Sequence, residues 1–558
     1  MEFHMPTTAN STTFPLSSSG FSVLEWWVAR HLSMNNVLPT TLLLLTSSVF
    51  LCTLRNLRFA KPDNLLPPGP APWPLIGSLH AICRNKPAFR WILGMMEEMD
   101  TNIACIRLGN THVIPVTCPK IACEFLKKQD AMFATRPVAM APEYASRGYL
   151  TTATTPWGDQ WKKMRRVVAC ELLHPTKLRG FLHKRTGEAD NLLRYIHTQC
   201  CMNRNGHAVV DVREAAQHYC GNVIRKLMFN VRHFGAGRED GGPGLEEKEH
   251  VEALFTVLSL LYVFDVADYL PMFRCLDLEG HERMMKRAIE VVNKYHDPII
   301  DDRMTRWRSG GAGAGAMRDP EDMLDLMILA KDGNGNPSLS AEEIKAQITE
   351  LMIATVDNPS NAVEWAIAEM IEQPSILKKA MEELDGVVGR ERLVQESDIP
   401  RLNYVKACAR EAFRLHPLAP FNVPHVSTAD TNVAGYFIPK GSAVLLSRYG
   451  LGRNAKVWDE PLKYKPERHL MEAMGEVELT EPDLRFISFS TGRRGCMGVS
   501  LGSEMTIMLL ARLLQGFHWS APPGQHCIQL AESADDLSLA KRLQALAHPR
   551  LPPHLYSS

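Results

Sequence analysis

The sequence lacks an excess of either charge and lacks any pattern of paired cysteines. Lys plus Arg and Asp plus Glu each number 62, so the net charge is zero and the basic face typical of nucleic-acid-binding proteins is not expected. The 13 cysteines are scattered without a CxxC pair, which argues against a disulfide scaffold or a zinc site and favours a reducing compartment. The 558 residues are ample for a large hydrophobic core.

One long uncharged run lies near the N-terminus. Residues 37–54, VLPTTLLLLTSSVFLCTL, form an 18-residue stretch that is just long enough to cross a bilayer. Arg55, Arg58 and Lys61 follow, which by the positive-inside rule leaves the rest of the chain in the cytosol. We therefore expect residues 1–61 to be an N-terminal segment with an uncleaved membrane anchor. A cleaved signal peptide or an organelle transit peptide is the alternative.

Prolines dominate the stretch that follows this run. Residues 65–77, LLPPGPAPWPLIG, hold prolines at positions 67, 68, 70, 72 and 74, which stiffen the chain in polyproline-like geometry. We expect residues 62–77 to be a hinge that sets a catalytic domain, residues 78–558, against the membrane surface. A plain spacer is the simpler alternative.

The remainder of the chain is predicted to be mainly α-helical with small β-sheets. Residues 103–117 predict a β-hairpin whose turn contains Gly109 and Asn110. Residues 432–447 predict a second hairpin, with its turn around residues 439–441, Pro-Lys-Gly.

A long helix is predicted to start at Ser340, because Glu343 stands three residues later and completes a capping box. Two glycine-rich stretches, residues 235–250 and 309–316, are expected to be flexible surface loops. The second has neither a preceding strand nor a following GK[ST], which excludes a phosphate-binding loop.

The strongest chemical signal is FSTGRRGCMG, residues 489–498, which presents Cys496 in a glycine-rich loop directly before an apolar helix. Gly492 and Gly498 permit tight turns and close approach of the backbone to a bulky group. Backbone N–H groups near a helix N-terminus would stabilise a thiolate. The overlapping GVSLG fits the pattern of a nucleophile elbow but lacks the strand-turn-helix context that such an elbow requires.

This loop resembles the haem-ligand signature F-x-x-G-x-R-x-C-x-G of cytochromes P-450, and Phe489, Gly492, Arg494, Cys496 and Gly498 occupy its fixed positions. The resemblance extends from the proline stretch to the C-terminus. It implies the cytochrome P-450 fold and a bound haem b, with the Cys496 thiolate as the axial ligand of the iron. It also implies O2 as a substrate and electrons from NADPH through a membrane-bound NADPH-cytochrome P-450 reductase.

Other motifs of this family are also present. REAFRLHP supplies Glu411 and Arg414, one helical turn apart, and PERH supplies Arg468, which in the family completes their ion network. Trp161 and Arg165 match W-x-x-x-R, whose members reach the haem propionates in the family.

Basic residues near these motifs are candidates for docking the reductase, although solvated surface charge is the commoner role. They are Lys162, Lys163, Arg166 and Arg493.

The stretch ATVDNPSNAVEW, residues 354–365, departs from the family pattern [AG]-G-x-[DE]-T-[ST]. Asp357 keeps the acid and remains available for proton delivery, whereas Asn358 replaces the oxygen-activating threonine. Pro359 cannot donate to the carbonyl of Thr355, which predicts a kink in the long helix. The expected catalytic residues are Thr355, Asp357 and Asn358.

The same departure resembles one plant group, the amino-acid N-monooxygenases that form aldoximes, as do PERH, SFSTGRRGC (488–496) and FNVPHVSTADTNVAGYFIPKG (421–441). His425 stands where the wider family usually has a propionate-binding arginine. The resemblance implies two N-hydroxylations of an L-amino acid, then dehydration and decarboxylation to the aldoxime. Residues 86–109 and 117–137 are nearest to members that use tyrosine or phenylalanine, which favours an aromatic substrate.

By analogy, the substrate pocket is expected to include the loop before Trp157, Thr355, Phe421 with Asn422, and Ser538, although Phe421 could equally be core packing. The resemblance implies a single-pass enzyme of the endoplasmic reticulum membrane, active in plant specialised metabolism. Two alternatives remain: a C-hydroxylating monooxygenase, and a redox-independent haem-thiolate isomerase or dehydratase.

Overall fold

The computed structural model describes residues 65–309, 319–472 and 475–557, and before residue 65 only Ser47. Apart from Ser47, the predicted span 37–54 lies outside the described residues, as does nearly all of the glycine-rich stretch 309–316. None of the helices within the described ranges is both long enough and apolar enough to cross a membrane. Asn64–Ser558 is one compact unit.

The described part of the chain is mainly α-helical, as predicted. Its α-helices are α1 Leu79–Arg84, α2 Ala88–Glu98, α3 Pro119–Cys123, α4 Met140–Ala145, α5 Asp159–Val167, α6 Pro175–Gly180, α7 Leu182–Met202, α8 Val212–Phe229, α9 Leu245–Leu260, α10 Val266–Tyr269, α11 His281–Ser309, α12 Met323–Leu329, α13 Ala341–Glu372, α14 Pro374–Val387, α15 Asn403–Leu415, α16 Arg448–Gly452, α17 Glu467–Glu472, α18 Val499–Gly516 and α19 His554–Ser557. Short π-helical turns, Glu124–Lys128 and Val168–Leu172, and 3₁₀ turns, Pro271–Leu276, Glu396–Arg401 and Gly492–Arg494, complete the helical part.

Helix α13 forms the centre of the hydrophobic core. It starts at the predicted capping box, because the Ser340 hydroxyl accepts from the Glu343 backbone N–H and the Glu343 carboxylate accepts from the Ser340 backbone N–H. Helices α8, α15 and α18 pack against it, and Trp365 is completely buried between them. Its 32 residues continue through Pro359 without a break in the helix.

Three small sheets flank the helices. The strands are β1 Ile106–Leu108, β2 Thr111–Val116, β3 Ala208–Asp211, β4 His425–Val426, β5 Thr431–Val433, β6 Tyr436–Ile438, β7 Ala443–Leu446, β8 Phe517–Ser520 and β9 Gln544–Pro549. Their orders are β1-β2-β7-β4, β3-β9-β8 and β5-β6. The antiparallel pair β1 and β2 confirms the first predicted hairpin.

The second hairpin was predicted with the wrong turn. Strands β5 and β6 pair through a two-residue turn at Ala434 and Gly435, which have φ of 52° and 83°. Successive positive φ values match the right-handed twist of a tight hairpin. Residues 439–441 instead precede β7, which belongs to another sheet. There, Ala443 of β7 pairs with Val113 in the parallel β2–β7 ladder.

The first glycine-rich stretch, 235–250, is only partly a loop. Helix α9 begins at Leu245, and both Glu247 and His250 are buried. Glu247 Oε1 accepts from Arg225 Nη2 at 2.5 Å, which ties the end of this stretch into the core. The prediction of a flexible surface loop is therefore wrong for residues 245–250.

The proline stretch lies along the first sheet. The Cys105 backbone N–H donates to the carbonyl of Pro68 at 2.8 Å, and that of Phe437 donates to the carbonyl of Leu65 at the same distance. A Cβ atom at Gly69 would lie 1.9 Å from the carbonyl oxygen of Cys105, so only glycine fits there. These backbone contacts attach residues 65–69 to the sheets.

Candidate active site

Cys496 is held in a loop between the 3₁₀ turn Gly492–Arg494 and helix α18. Its backbone N–H donates to the carbonyl of Phe489 at 2.9 Å, which closes the loop. Gly492 has φ of 72°, and a Cβ atom there would lie 2.4 Å from the carbonyl oxygen of Leu126. The signature glycine is therefore required by the packing of the loop against its neighbour.

The thiol of Cys496 lines a cavity below α13, so it is accessible although protein surrounds it. Burial raises the pKa of the thiol, whereas the Gly498 backbone N–H and the charges of Arg448 and Arg165 act in the opposite direction. Three favourable partners are thus already placed for the thiolate that a metal ion would require.

The walls of this cavity suit a flat apolar group with acidic substituents. Both apolar and cationic side chains line it. The apolar ones include Ala354, Phe413, Phe489, Met497, Leu501 and Met505, and the cationic ones are Arg136, Arg165, Arg448 and Arg494. A haem, with an apolar macrocycle, two propionates and an iron that accepts a thiolate, fits this set of residues.

Two predicted cofactor residues, Arg165 and Arg494, line the cavity and a third, Trp161, does not. Arg165 donates from Nη1 to the carbonyl of Gly495 at 3.1 Å. Arg494 is buried and donates to three backbone carbonyls, among them that of Thr152 at 3.2 Å. Trp161 is buried, and its Nε1 donates to the carbonyl of Thr152 at 3.1 Å.

The sequence did not point to Glu350, which fixes the loop before Trp157 to α13. Its carboxylate accepts from the Thr152 backbone N–H at 3.1 Å, the Thr152 hydroxyl at 2.5 Å and the Ala153 backbone N–H at 2.8 Å. Thr152 in turn holds Trp161 and Arg494 through its carbonyl. One carboxylate therefore organises this side of the cavity.

Arg136 is a second residue that the sequence did not single out. It is buried, donates from Nε to the carbonyl of Ala153 at 2.9 Å, and donates from Nη1 to those of Val423 and Pro424 at 2.8 Å each. Burial lowers the pKa of Arg136 to about 10.

His425, expected at the cofactor, is buried and does not line the cavity. Its Nδ1 lies 2.8 Å from the carbonyl oxygen of Phe133, and its Nε2 lies 3.3 Å from Nδ2 of Asn422. Asn422 does line the cavity and also donates to the Ser490 hydroxyl at 3.3 Å.

The three expected catalytic residues of α13 separate into two groups. Thr355 and Asn358 line the cavity of Cys496 together with Pro359. The Thr355 hydroxyl donates to the carbonyl of Leu351 at 2.7 Å, and Asn358 Nδ2 donates to the carbonyl of Ala354 at 3.0 Å. Such bonds from a side chain back to the preceding helical turn commonly bend helices. The kink at Pro359 stays a prediction.

Asp357 lines a second, larger cavity of about 740 Å³ together with Phe421 and Ser538. Leu418 lines both cavities, so they adjoin. Burial, with Asp536 and Glu364 nearby, raises the pKa of Asp357 to about 7, while Arg213 opposes this shift. Asp357 is therefore poised to give and take a proton near neutral pH.

The predicted ion network is buried around Glu411, a residue of α15. Glu411 accepts from Arg414 at 2.7 and 2.8 Å and from Arg468 Nε at 3.1 Å. His469 completes the set with Nε2 at 2.8 Å from Glu411 Oε2. The histidine of PERH was noticed in the sequence only as a family trait, and the structure gives it a partner.

The whole described unit matches proteins of known class. A family model described as Cytochrome P450 matches residues 67–545. Among curated relatives, phenylalanine N-monooxygenase of Arabidopsis thaliana is 62% identical over 88% of this chain and 92% of its own length. Tyrosine N-monooxygenase of Sorghum bicolor is 58% identical over 88% of each chain.

Among solved structures, a zebra fish cytochrome P450 aligns with a TM-score of 0.65. It shares 21% identity, and the alignment covers 82% of this chain and 99% of the zebra fish chain. At this level of identity the similarity shows the fold alone.

Proposed function

Since this chain belongs to the cytochrome P450 family, we propose that it converts an aromatic L-amino acid to its aldoxime. The family assignment confirms the resemblance read from the cysteine loop. The relatives with 58% and 62% identity are amino-acid N-monooxygenases, and this chain is an oxidoreductase of that kind. Its cofactor is haem iron. Its co-substrates are O2 and NADPH, whose electrons reach the haem through a reductase.

The proposed reaction begins at the amino nitrogen of the substrate. This nitrogen is hydroxylated twice, each time with one O2, one NADPH and one proton, and each hydroxylation releases one water. Dehydration then gives a third water, and loss of CO2 leaves the aldoxime. The bound haem supplies the activation of dioxygen, with a thiolate ligand that favours O–O cleavage.

The single observation on which this proposal depends is the arrangement of α13 between the two cavities. Asn358 lines the cavity of Cys496, and Asp357, next in the chain, lines the adjoining one. Asp357 can hold a proton near neutral pH, and Asn358 presents an amide where most of the cytochrome P450 family has a hydroxyl. We infer that Asp357 resupplies protons to the reaction and that Asn358 orders the groups that receive them.

The larger cavity favours an aromatic substrate. Its wall contains the rings of Phe89, Phe255, Phe264 and Phe421. Asp357 and Ser538 line its polar side. Its volume of about 740 Å³ lies within the range of small-molecule sites.

We also propose the cellular setting that the sequence implies: an anchor at 37–54 in the endoplasmic reticulum membrane, the hinge 62–77, and the domain 78–558 in the cytosol. The charges predicted to dock the reductase differ in their availability. Lys162 and Arg166 are exposed on α5, where Lys162 pairs with the exposed Asp159, whereas Lys163 pairs with the buried Glu343 at 2.7 Å. We therefore expect charge reversal at Lys162 and Arg166 to raise the reductase concentration needed for half-maximal turnover.

Microsomes that contain the full chain, a reductase and NADPH test the proposal. L-Phenylalanine or L-tyrosine should yield the matching aldoxime, and other standard amino acids should yield less. NADPH-dependent formation of only C-hydroxylated products would favour a C-hydroxylase. Conversion of a hydroperoxide or a preformed oxime without NADPH would favour an isomerase or dehydratase. A reduced, CO-bound protein without the thiolate-type Soret shift would refute the assignment of Cys496.

A further inference from the structure

Arg448 is a cavity residue to which neither the sequence motifs nor the comparisons give a role. It lies two residues after β7, at the start of α16, and lines the cavity of Cys496. Its Nε is enclosed by protein and has no hydrogen-bond partner among the described residues. Its Nη2 lies 3.5 Å from Oδ1 of Asn422, a neutral oxygen at the limit of hydrogen-bond distance. The guanidinium charge thus faces the cavity without a strong partner of its own.

A short chain of side chains fixes the position of that neutral oxygen. The carbonyl of Phe133 can only accept, so the His425 Nδ1 at 2.8 Å must carry the hydrogen. Burial keeps the pKa of His425 well below its usual value, so the ring is neutral and its Nε2 is bare. Nε2 therefore accepts from Asn422 Nδ2 at 3.3 Å, which turns the Asn422 oxygen toward Arg448.

This hydrogen-bond order leaves His425 without a free N–H for any ligand, because its one hydrogen is given to Phe133. In this arrangement His425 has no hydrogen to donate to a propionate, as a residue that replaces a propionate-binding arginine would need. Arg448 has what His425 lacks, namely a permanent charge on a side chain that lines the cavity and whose one hydrogen-bond contact among the described residues is the long one to Asn422.

We propose that Arg448 is a carboxylate-binding residue of this cavity, positioned by Asn422 and indirectly by His425. A partly buried guanidinium is stabilised by an anion in the cavity that it lines, and its planar fork matches the two oxygens of a carboxylate. Two carboxylates can enter this cavity: a propionate of the haem, and the α-carboxylate of an amino-acid substrate. The second source rests on the proposed function.

The first arm of the test measures haem retention. Haem-loaded wild type, R448Q and R448K are mixed with a haem acceptor protein, and the transfer rate is followed by absorbance. If Arg448 binds a propionate, R448Q should lose haem about tenfold faster, equivalent to one lost ion contact of about 1.4 kcal/mol. The exposed Arg179 on α6 gives the matched control R179Q, which should lose haem at the wild-type rate.

The second arm measures binding of two probes by the spin-state shift of the haem, with no turnover required. L-Phenylalanine has the carboxylate and 2-phenylethylamine does not. If Arg448 binds the substrate, R448Q should weaken L-phenylalanine binding about tenfold or more and leave 2-phenylethylamine unchanged. N422A should also weaken L-phenylalanine binding, by a smaller factor than R448Q. The affinity of R448K should lie between those of R448Q and wild type.

Unchanged haem transfer together with unchanged L-phenylalanine binding in R448Q would overturn the proposal. If R448Q does not fold, R448K and N422A decide by the same two readouts. A selective loss of L-phenylalanine binding in a protein that forms no aldoxime would support the carboxylate site and refute the proposed function. If wild type gives no spectral shift with L-phenylalanine, the haem-transfer arm decides alone.

Discussion

His469 donates from Nε2 to a carboxylate oxygen of Glu411, with 2.8 Å between the two atoms. The direction of this bond follows from the other ring nitrogen, since Nδ1 accepts from Arg410 Nε at 3.2 Å. Burial lowers the pKa of His469, although the carboxylate acts against this shift, and the ring is neutral. A neutral histidine therefore bridges two buried charges.

Replacement of His469 by phenylalanine tests this bridge. H469F keeps an aromatic ring of similar size but leaves Glu411 and Arg410 each one hydrogen bond short. Leaving such buried groups without partners typically costs about 1–3 kcal/mol, so we expect a lower melting temperature for the haem-loaded protein. H183F, at an exposed histidine of α7, is the matched control and should melt like wild type. Equal melting of both variants would contradict the bridging role.

Removal of the Glu350 charge should loosen the loop before Trp157. E350Q replaces a carboxylate that accepts three hydrogen bonds from Thr152 and Ala153. We expect faster amide hydrogen exchange in residues 147–157, with α18 unchanged, measured by mass spectrometry. E382Q on the exposed face of α14 serves as control. Unaltered exchange in this loop would show that other contacts hold it.

Asp357 should make the protein less stable as pH rises. Its folded pKa of about 7 lies above the ordinary 3.8, so the folded state favours the protonated acid. The contribution of Asp357 to stability is therefore fully present below about pH 4 and is lost as the pH rises to about 7. The free energy of unfolding should fall by at most about 1.4 kcal/mol for each pH unit in that window.

D357N removes the loss of stability that ionisation of Asp357 causes at higher pH. Its melting temperature at pH 8 should exceed that of wild type, and the difference should shrink toward pH 5. D100N, at an exposed acid, is the control. The same D357N variant should turn over more slowly, because the amide cannot deliver a proton. A pH-independent difference in melting temperature would refute the raised pKa.

Asn358 should keep oxygen use coupled to product formation. N358A leaves the helix carbonyl of Ala354 without its side-chain donor and removes the amide from the cavity. We expect more NADPH consumed and more hydrogen peroxide released per aldoxime formed. N358T, which restores the hydroxyl of most family members, is the informative comparison. An unchanged ratio of NADPH to aldoxime in N358A would exclude a role in oxygen handling.

Several features of this protein were determined by short stretches of sequence. The loop around Cys496, the capping box at Ser340 and the first hairpin each depend on residues within about ten positions. Their backbone angles and local hydrogen bonds are set by nearby residue types. The family could be read from the sequence for the same reason, since its signature residues lie close together along the chain.

Other features depend on residues that only the folded chain brings together. The turn at Ala434 and Gly435 was missed because Pro-Lys-Gly at 439–441 is the stronger local turn signal, yet the pairing of β7 with β2 decides where the hairpin closes. The partner of His469 is 58 residues away, and the carbonyl that orients His425 is 292 residues away.

The candidate site shows the same division. The sequence predicts that Cys496 ligates the iron of a haem, that Asp357 keeps the acid of the family pattern and that Asn358 departs from it. Only the tertiary structure placed Asp357 and Asn358 in different cavities and brought Arg448 into the wall of one of them. A side chain's chemistry is fixed by its type, but burial and long-range partners decide its charge, its free donors and the space it faces.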